Sequence, residues 1–291
     1  MLSQDSNPTS DKINIPSHTV SESFYRTTAA LTDFVKDQVK PSLDGCLEMN
    51  QREIALASTF YRMYGWMLSL VAMNQNLHYQ GIASATRSLF ELMLDIELLH
   101  CDKDGRLVEQ YFTFFRIEKY RVAKQIVAFG NRDNDNLINK VDIIHSFIEK
   151  VEKRSIDEEI YNVWGINKEK ILKGNLKHWT NMSVRDRAKK IDDIYGNNRN
   201  MSFYIDTYPL LSWYIHAGGT GTLGLTEKAI DGIFRLCHYL SQTSFINGIK
   251  ICAKEFKINL AIPAFEKLLD EASLVGARYI QEQEKLIISS T

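Results

Sequence analysis

The sequence predicts an all-α protein: a multi-helix bundle with an up-down helical core and a disordered N-terminal arm. Three observations predict it. Apolar residues recur at three- and four-residue spacing from Glu22 onward. No run of period-two alternation is bounded by hairpin turns. Five prolines and 15 glycines in 291 residues are too few for a turn-rich β fold. With 44% hydrophobic residues the chain can fill a large core.

Residues 1–21 hold few large apolar side chains and many turn formers, which predicts a disordered arm. A first helix carries Phe24, Leu31, Phe34 and Val35 and is expected to stop at Pro41. Residues 51–79 and 81–101 are the most apolar stretches, and the short link between them predicts an antiparallel hairpin at the centre of the core. Residues 104–129 return beside them, and 131–136 form a turn. An amphipathic helix follows over 137–153, with shorter ones in 155–172. Ser183 and Asp186 predict a capped helix to Tyr195. Residues 199–216 form a helix interrupted at Pro209, Thr226 caps a long helix to about Lys257, and Pro263 starts the last one, to about Glu284. Residues 22–284 therefore read as one helical domain, and 285–291 as a tail.

The 35 basic and 36 acidic residues nearly cancel, so no global field points to a nucleic-acid or membrane partner. Four cysteines lie far apart in sequence and no signal peptide precedes them, which predicts reduced thiols and a cytoplasmic location. The apolar window 54–73 contains Arg62, Ser58, Thr59 and Ser69, the pattern of a buried core helix and not of a membrane span.

Against this apolar background a few polar residues stand out. Arg87, Glu91 and Asp95 recur every fourth residue and share one helix face. In so apolar a helix Arg87 must find a carboxylate, its own Glu91 or one across the bundle. Tyr204, Tyr208, Ser212 and His216 form a second stripe. Histidine titrates near neutral pH and serine is a nucleophile once a base takes its proton, so this pair is a candidate for acid/base or acyl-transfer chemistry; a histidine fixing a helix end is the structural alternative. The glycine-rich segment 218–224 formally matches GxGxxG, but it follows a helix in a chain without strands, so a helix stop and linker is the better reading. Glu97 with His100 and Asp142 with His145 have the spacing of di-iron bundle ligands. Their helical levels differ by some 15–20 Å at 1.5 Å per residue, so no metal or cofactor is expected.

Residues 167–190 hold eight Lys or Arg against two acids, with Trp179 among them. Lys177, Trp179, Arg185, Arg187, Lys189 and Lys190 are candidate contacts for RNA or a nucleotide, because cations hold phosphates and an exposed ring stacks a base. A solvated charged face is the plain alternative.

Arg87-x-x-x-Glu91, Trp179 before a helix, and Tyr208-x-x-x-Ser212-x-x-x-His216 together resemble a bacterial family of all-helical proteins of unknown function, over about residues 51–224. That family is distantly similar to HEPN domains, many of which are ribonuclease toxins or phage-defence effectors. The resemblance implies a shared polar site of Arg87, Glu91, Tyr208, Ser212 and His216 acting on RNA or a nucleotide phosphate. The HEPN arginine, separated from its histidine by four to six residues, is missing at all seven histidines, so Arg87 would have to replace it from another helix. The alternative is a non-catalytic interaction or scaffold module serving a protein partner or a homodimer.

Overall fold

A computed structural model of the chain describes residues 20–46, 48–75, 78–133, 162–165, 176, 178–215 and 226–290. The expected arm up to residue 19, the helix over 137–153, most of 155–172 and the glycine-rich segment after His216 lie outside the described residues. Among the described residues every regular element is a helix, in agreement with the expected all-α class.

The chain runs through α1 (Val20–Phe34), a π-helical turn (Val35–Val39), α2 (Lys40–Asp44), α3 (Gln51–Ala72), α4 (Tyr79–Cys101), α5 (Arg106–Asp133), α6 (Val184–Tyr195), α7 (Arg199–Asp206), α8 (Tyr208–Ile215), α9 (Glu227–Glu255) and α10 (Pro263–Ser290). Local signals explain most starts. Asn50 and Glu53 close a reciprocal capping box on α3 (Glu53 N to Asn50 Oδ1 3.0 Å; Asn50 N to Glu53 Oε2 2.8 Å). Ser183 and Asp186 do the same for α6, which ends on Gly196 in the left-handed region (φ 66°). Thr226 caps α9, accepting from Ala229 N at 3.2 Å.

Pro41 does not end the first helical stretch. The π turn over Val35–Val39 shifts the register, so Pro41 falls in the first turn of α2, where its missing N–H breaks no bond and the chain stays helical to Asp44. The last helix continues to Ser290, through most of the expected tail.

α4 is the axis of the molecule. It packs against α3 on one side and α9 on another, and against α8, α6 and α5 around the rest. Every residue from Leu92 to Leu99 is buried, which explains why this helix is apolar on all faces and not along one stripe. Phe60 of α3 stacks on Phe245 of α9 with centroids 5.6 Å apart. Arg52 closes the far end: it donates to the Asp102 carbonyl (2.7 Å) and the His100 carbonyl (2.6 Å), which terminate α4, and pairs with Glu255 (3.0 Å). α1 covers α9 and α10, with Phe34 stacked on Phe265 at 5.0 Å.

Candidate functional site

α4 supplies Arg87, Glu91 and Asp95 one turn apart, and α8 lays Tyr208 and Ser212 against the first two. Arg87 Nε donates to Glu91 Oε1 at 3.0 Å, and its Nη1 to Ser212 Oγ at 3.3 Å. The Tyr208 hydroxyl donates to the same Glu91 oxygen at 2.7 Å, and the Arg87 guanidinium lies 4.8 Å from the Tyr208 ring centroid. Four of the five sequence-predicted residues thus meet around one carboxylate. His216, the fifth, lies outside the described residues.

The charges in this cluster are fixed. Burial, and then the Glu91 carboxylate, push the Tyr208 phenol well above the ordinary tyrosine range, so it stays protonated and donating. Burial works against the Arg87 charge, but Glu91 and Tyr208 outweigh it and raise the guanidinium further. Ser212 Oγ donates to the Tyr208 carbonyl at 3.1 Å while accepting from Arg87. Among the described residues, therefore, no base takes the Ser212 proton.

One turn along α4 a second charged layer forms. Arg187, from α6, is 2% exposed and donates to Asp95 Oδ1 at 2.5 Å and to the Glu91 carbonyl at 3.3 Å, with its Nη2 3.6 Å from Glu91 Oε2. His178 Nε2 lies 3.3 Å from Asp95 Oδ1. Its Nδ1 accepts from Thr180 N at 3.2 Å and lies 2.8 Å from Thr180 Oγ1, which places the proton on Nε2, facing Asp95. Burial pushes the Asp95 carboxyl upward, but the His178 hydrogen bond and the Arg187 charge outweigh it and hold it below the ordinary carboxylate value. Both His178 nitrogens are thereby occupied, one by Asp95 and one by Thr180.

Beside these layers a cleft of about 360 Å³ opens between α3, α4 and α5. Glu91, Asp95, Glu118 (ion-paired with Arg121), His178 and Ser88 form its polar wall, and Trp66, Tyr111, Phe114, Phe115 and Trp179 its aromatic ones. Arg62 lines it from α3, exposed and without an ion pair among the described residues. Phe115 is 58% exposed at the rim, with Lys119 Nζ 4.5 Å from its ring centroid.

The basic run divides. Arg185, Lys189 and Lys190 are exposed on α6, whereas Trp179 (4% exposed) and Arg187 are core residues; Lys177 lies outside the described residues. Trp179 and Arg187 are therefore not solvent-facing contacts for a polynucleotide. Trp179 accepts the Trp164 indole N–H at its carbonyl (3.0 Å) and packs edge-on against Tyr111. The physical reason is Asp95: a fully buried carboxylate on α4 needs a cation, and Arg187 is the one α6 delivers. Glu97 and His100, weighed as metal ligands, turn to separate partners on α9, Asn247 and Glu255. Among the described residues no group of His, Cys, Asp and Glu is arranged to hold a metal. Nor is any helix among them long and apolar enough to cross a membrane.

Sequence reasoning missed His178, Thr180, Arg62, Trp66 and Tyr111 as parts of the site. The signal for His178 was the unpaired acid one turn beyond Glu91, which required a partner from elsewhere in the chain. Arg62 was visible as a lone charge in an apolar helix.

The fold and site define a class: an all-helical protein whose central buried helix carries ion-paired carboxylates to the wall of an aromatic cleft. The chain belongs to the family of unknown function DUF5677, whose model matches residues 53–231 and so spans Arg62, Arg87, Glu91, Asp95, His178, Arg187, Tyr208 and Ser212. No curated protein and no solved structure matches it significantly.

Proposed function

We propose that the protein recognises RNA or a free nucleotide through the Glu91 cleft, which the Arg87–Glu91–Tyr208–Ser212 cluster borders through Glu91, with His216 as the candidate base. The observation that carries this reading is the cleft's composition. Aromatic faces at Trp66, Tyr111 and the exposed Phe115 suit a planar base, the Glu91 carboxylate suits its amino or ribose donors, and Arg62, in no ion pair among the described residues, suits its phosphate. The volume, about 360 Å³, lies in the range of small-ligand sites. The exposed Arg185, Lys189 and Lys190 extend positive charge along α6 for a longer strand.

Cleavage in this reading rests on His216 as the base that takes the proton of a ribose 2′-hydroxyl, whose oxygen bonds to phosphorus and displaces the 5′-oxygen, which leaves with a proton from water, while Arg62 stabilises the phosphate charge that develops. Tryptophan fluorescence titrated with AMP, UMP and oligouridylate, together with cleavage of a labelled single-stranded RNA, tests both parts. Binding should weaken roughly tenfold in Arg62→Ala, the loss of one charge-assisted contact. Cleavage should vanish in His216→Ala with binding kept. A wild type whose fluorescence ignores all three ligands would remove the reading.

A second reading, a non-catalytic interaction module, is favoured by one observation: Arg87, Glu91, Tyr208 and Ser212 satisfy one another. In that case Arg87→Ala lowers the melting temperature and no nucleotide restores it.

A further inference from the structure

A second cavity, of about 440 Å³, lies between the start of α7 and the facing surfaces of α9 and α10. Its charged lining residues are Arg199 and Lys250, both exposed and neither in an ion pair among the described residues; no Asp or Glu lines it. Tyr239, Asn247 and Ser273 add neutral polar groups, and Ile246, Leu269 and Gly276 form an apolar wall. Arg199, Tyr239 and Thr243 also line an adjoining lobe of about 250 Å³, which carries one acid, Asp206, and an apolar end of Phe90, Phe203 and Leu240.

From these features we infer that the groove is a binding site for a small organic phosphate monoester, its phosphate held between Arg199 and Lys250 and its apolar group in the Phe203 lobe. Two cations in no ion pair among the described residues, in a main cavity that no acid lines, match a dianion. The cavity far exceeds an inorganic ion, so the ligand carries an organic part. Asp206 lies in the adjoining lobe, on the side of the apolar group, and Glu97 sits behind Asn247, to which it is hydrogen-bonded, and is only 5% exposed. Burial raises it to about 7, so it opposes an anion weakly at and below neutrality. Apart from Arg199 and the Phe203 lobe's α4 and α7 residues, the site is built from residues beyond 231, outside the segment the family model matches. It is formed chiefly by the C-terminal helices and shares no lining residue with the Glu91 cleft.

Calorimetric titration of the full chain with phenyl phosphate, inorganic phosphate and benzoate tests the assignment. Phenyl phosphate should bind saturably and tightest, with inorganic phosphate competing. The double substitution Arg199→Gln and Lys250→Gln should weaken it roughly tenfold or more, since two charge-assisted contacts go. Arg199→Lys with Lys250→Arg should restore most of the affinity, and Arg62→Ala, in the other cleft, should leave it unchanged. Equal binding by the double glutamine variant, benzoate binding as tightly as phenyl phosphate, or no saturation below about 10 mM would overturn the inference.

Discussion

Asp95 shows what a single buried charge demands of the rest of the chain. Its carboxylate survives burial only because Arg187 and His178 reach it from elsewhere in the chain. Its folded pKa is lowered, so the contribution to stability is present above the ordinary value of 3.8 and is lost as pH falls through the folded value. Asp95→Asn leaves Arg187 buried without its closest counter-charge and should cost about 3–5 kcal/mol at pH 7 by urea unfolding. The gap to wild type should close in strong acid; a pH-independent gap would mean that packing, not charge, is responsible.

Two other buried groups oppose each other. Burial raises Glu97 to about 7 from 4.5, so the native state keeps a proton the unfolded chain releases, and stability falls as pH rises between those values. Burial lowers His238 to about 4 from 6.5, so the unfolded chain takes up a proton the native state refuses, and stability is lost as pH falls over that window. Each effect has a ceiling of about 3 kcal/mol, and the opposed slopes should leave the wild type nearly flat between pH 4.5 and 6.5. Glu97→Gln should unmask the loss toward acid, and His238→Gln, which can still donate to Thr28, the loss toward neutrality. Urea midpoints measured every half pH unit check this; flat profiles in both variants would refute it.

At the scale of elements, the helix pairs are set by close approaches as much as by apolar stripes. α10 meets α9 where Gly276 faces the Tyr239 ring, and a Cβ there would stand 2.6 Å from that ring. Gly276→Ala gains helix propensity of about 1 kcal/mol but must displace an aromatic ring, so the net result should be destabilisation of about 1–2 kcal/mol. Differential scanning calorimetry decides it: a variant that melts at or above the wild type would show that Tyr239 swings aside freely. The same displacement should disturb the phosphate groove, because Tyr239 and Gly276 both line it. Helix starts were legible in the sequence because a cap involves residues three apart: Asn50 with Glu53, Ser183 with Asp186, Thr226 with Ala229. Pro41 was misread because a proline marks an end or a beginning equally well, and only the π turn before it shows which.

For the molecule as a whole, the family-matched segment 53–231 is not a closed unit. The principal partner of α4 is α9, most of which lies beyond residue 231, and Thr86 of α4 sits 2.9 Å from Ser241 inside that contact. A fragment of residues 53–231 loses Phe245, Ile249 and Cys252 from the core, all fully buried, as well as the whole of α1. It should show helical far-ultraviolet circular dichroism without a cooperative melt. A sharp transition with native-like near-ultraviolet signal would contradict this.

The all-α class, most helix starts, and the grouping of Arg87 with Glu91 and of Tyr208 with Ser212 were legible in the amino-acid order alone. Each depends on residues within about four positions of one another, where helical geometry alone decides which side chains are neighbours. Only the tertiary structure decided that the two stripes meet, and that Arg187 and Trp179 turn inward to Asp95 and Tyr111. It alone placed Arg62 and the aromatic rings around a common cleft. These contacts join residues 92 and 125 positions apart for Asp95–Arg187 and Arg87–Ser212. No local periodicity encodes such pairs, because the side chains that complete a buried charge are chosen by helix packing around α4.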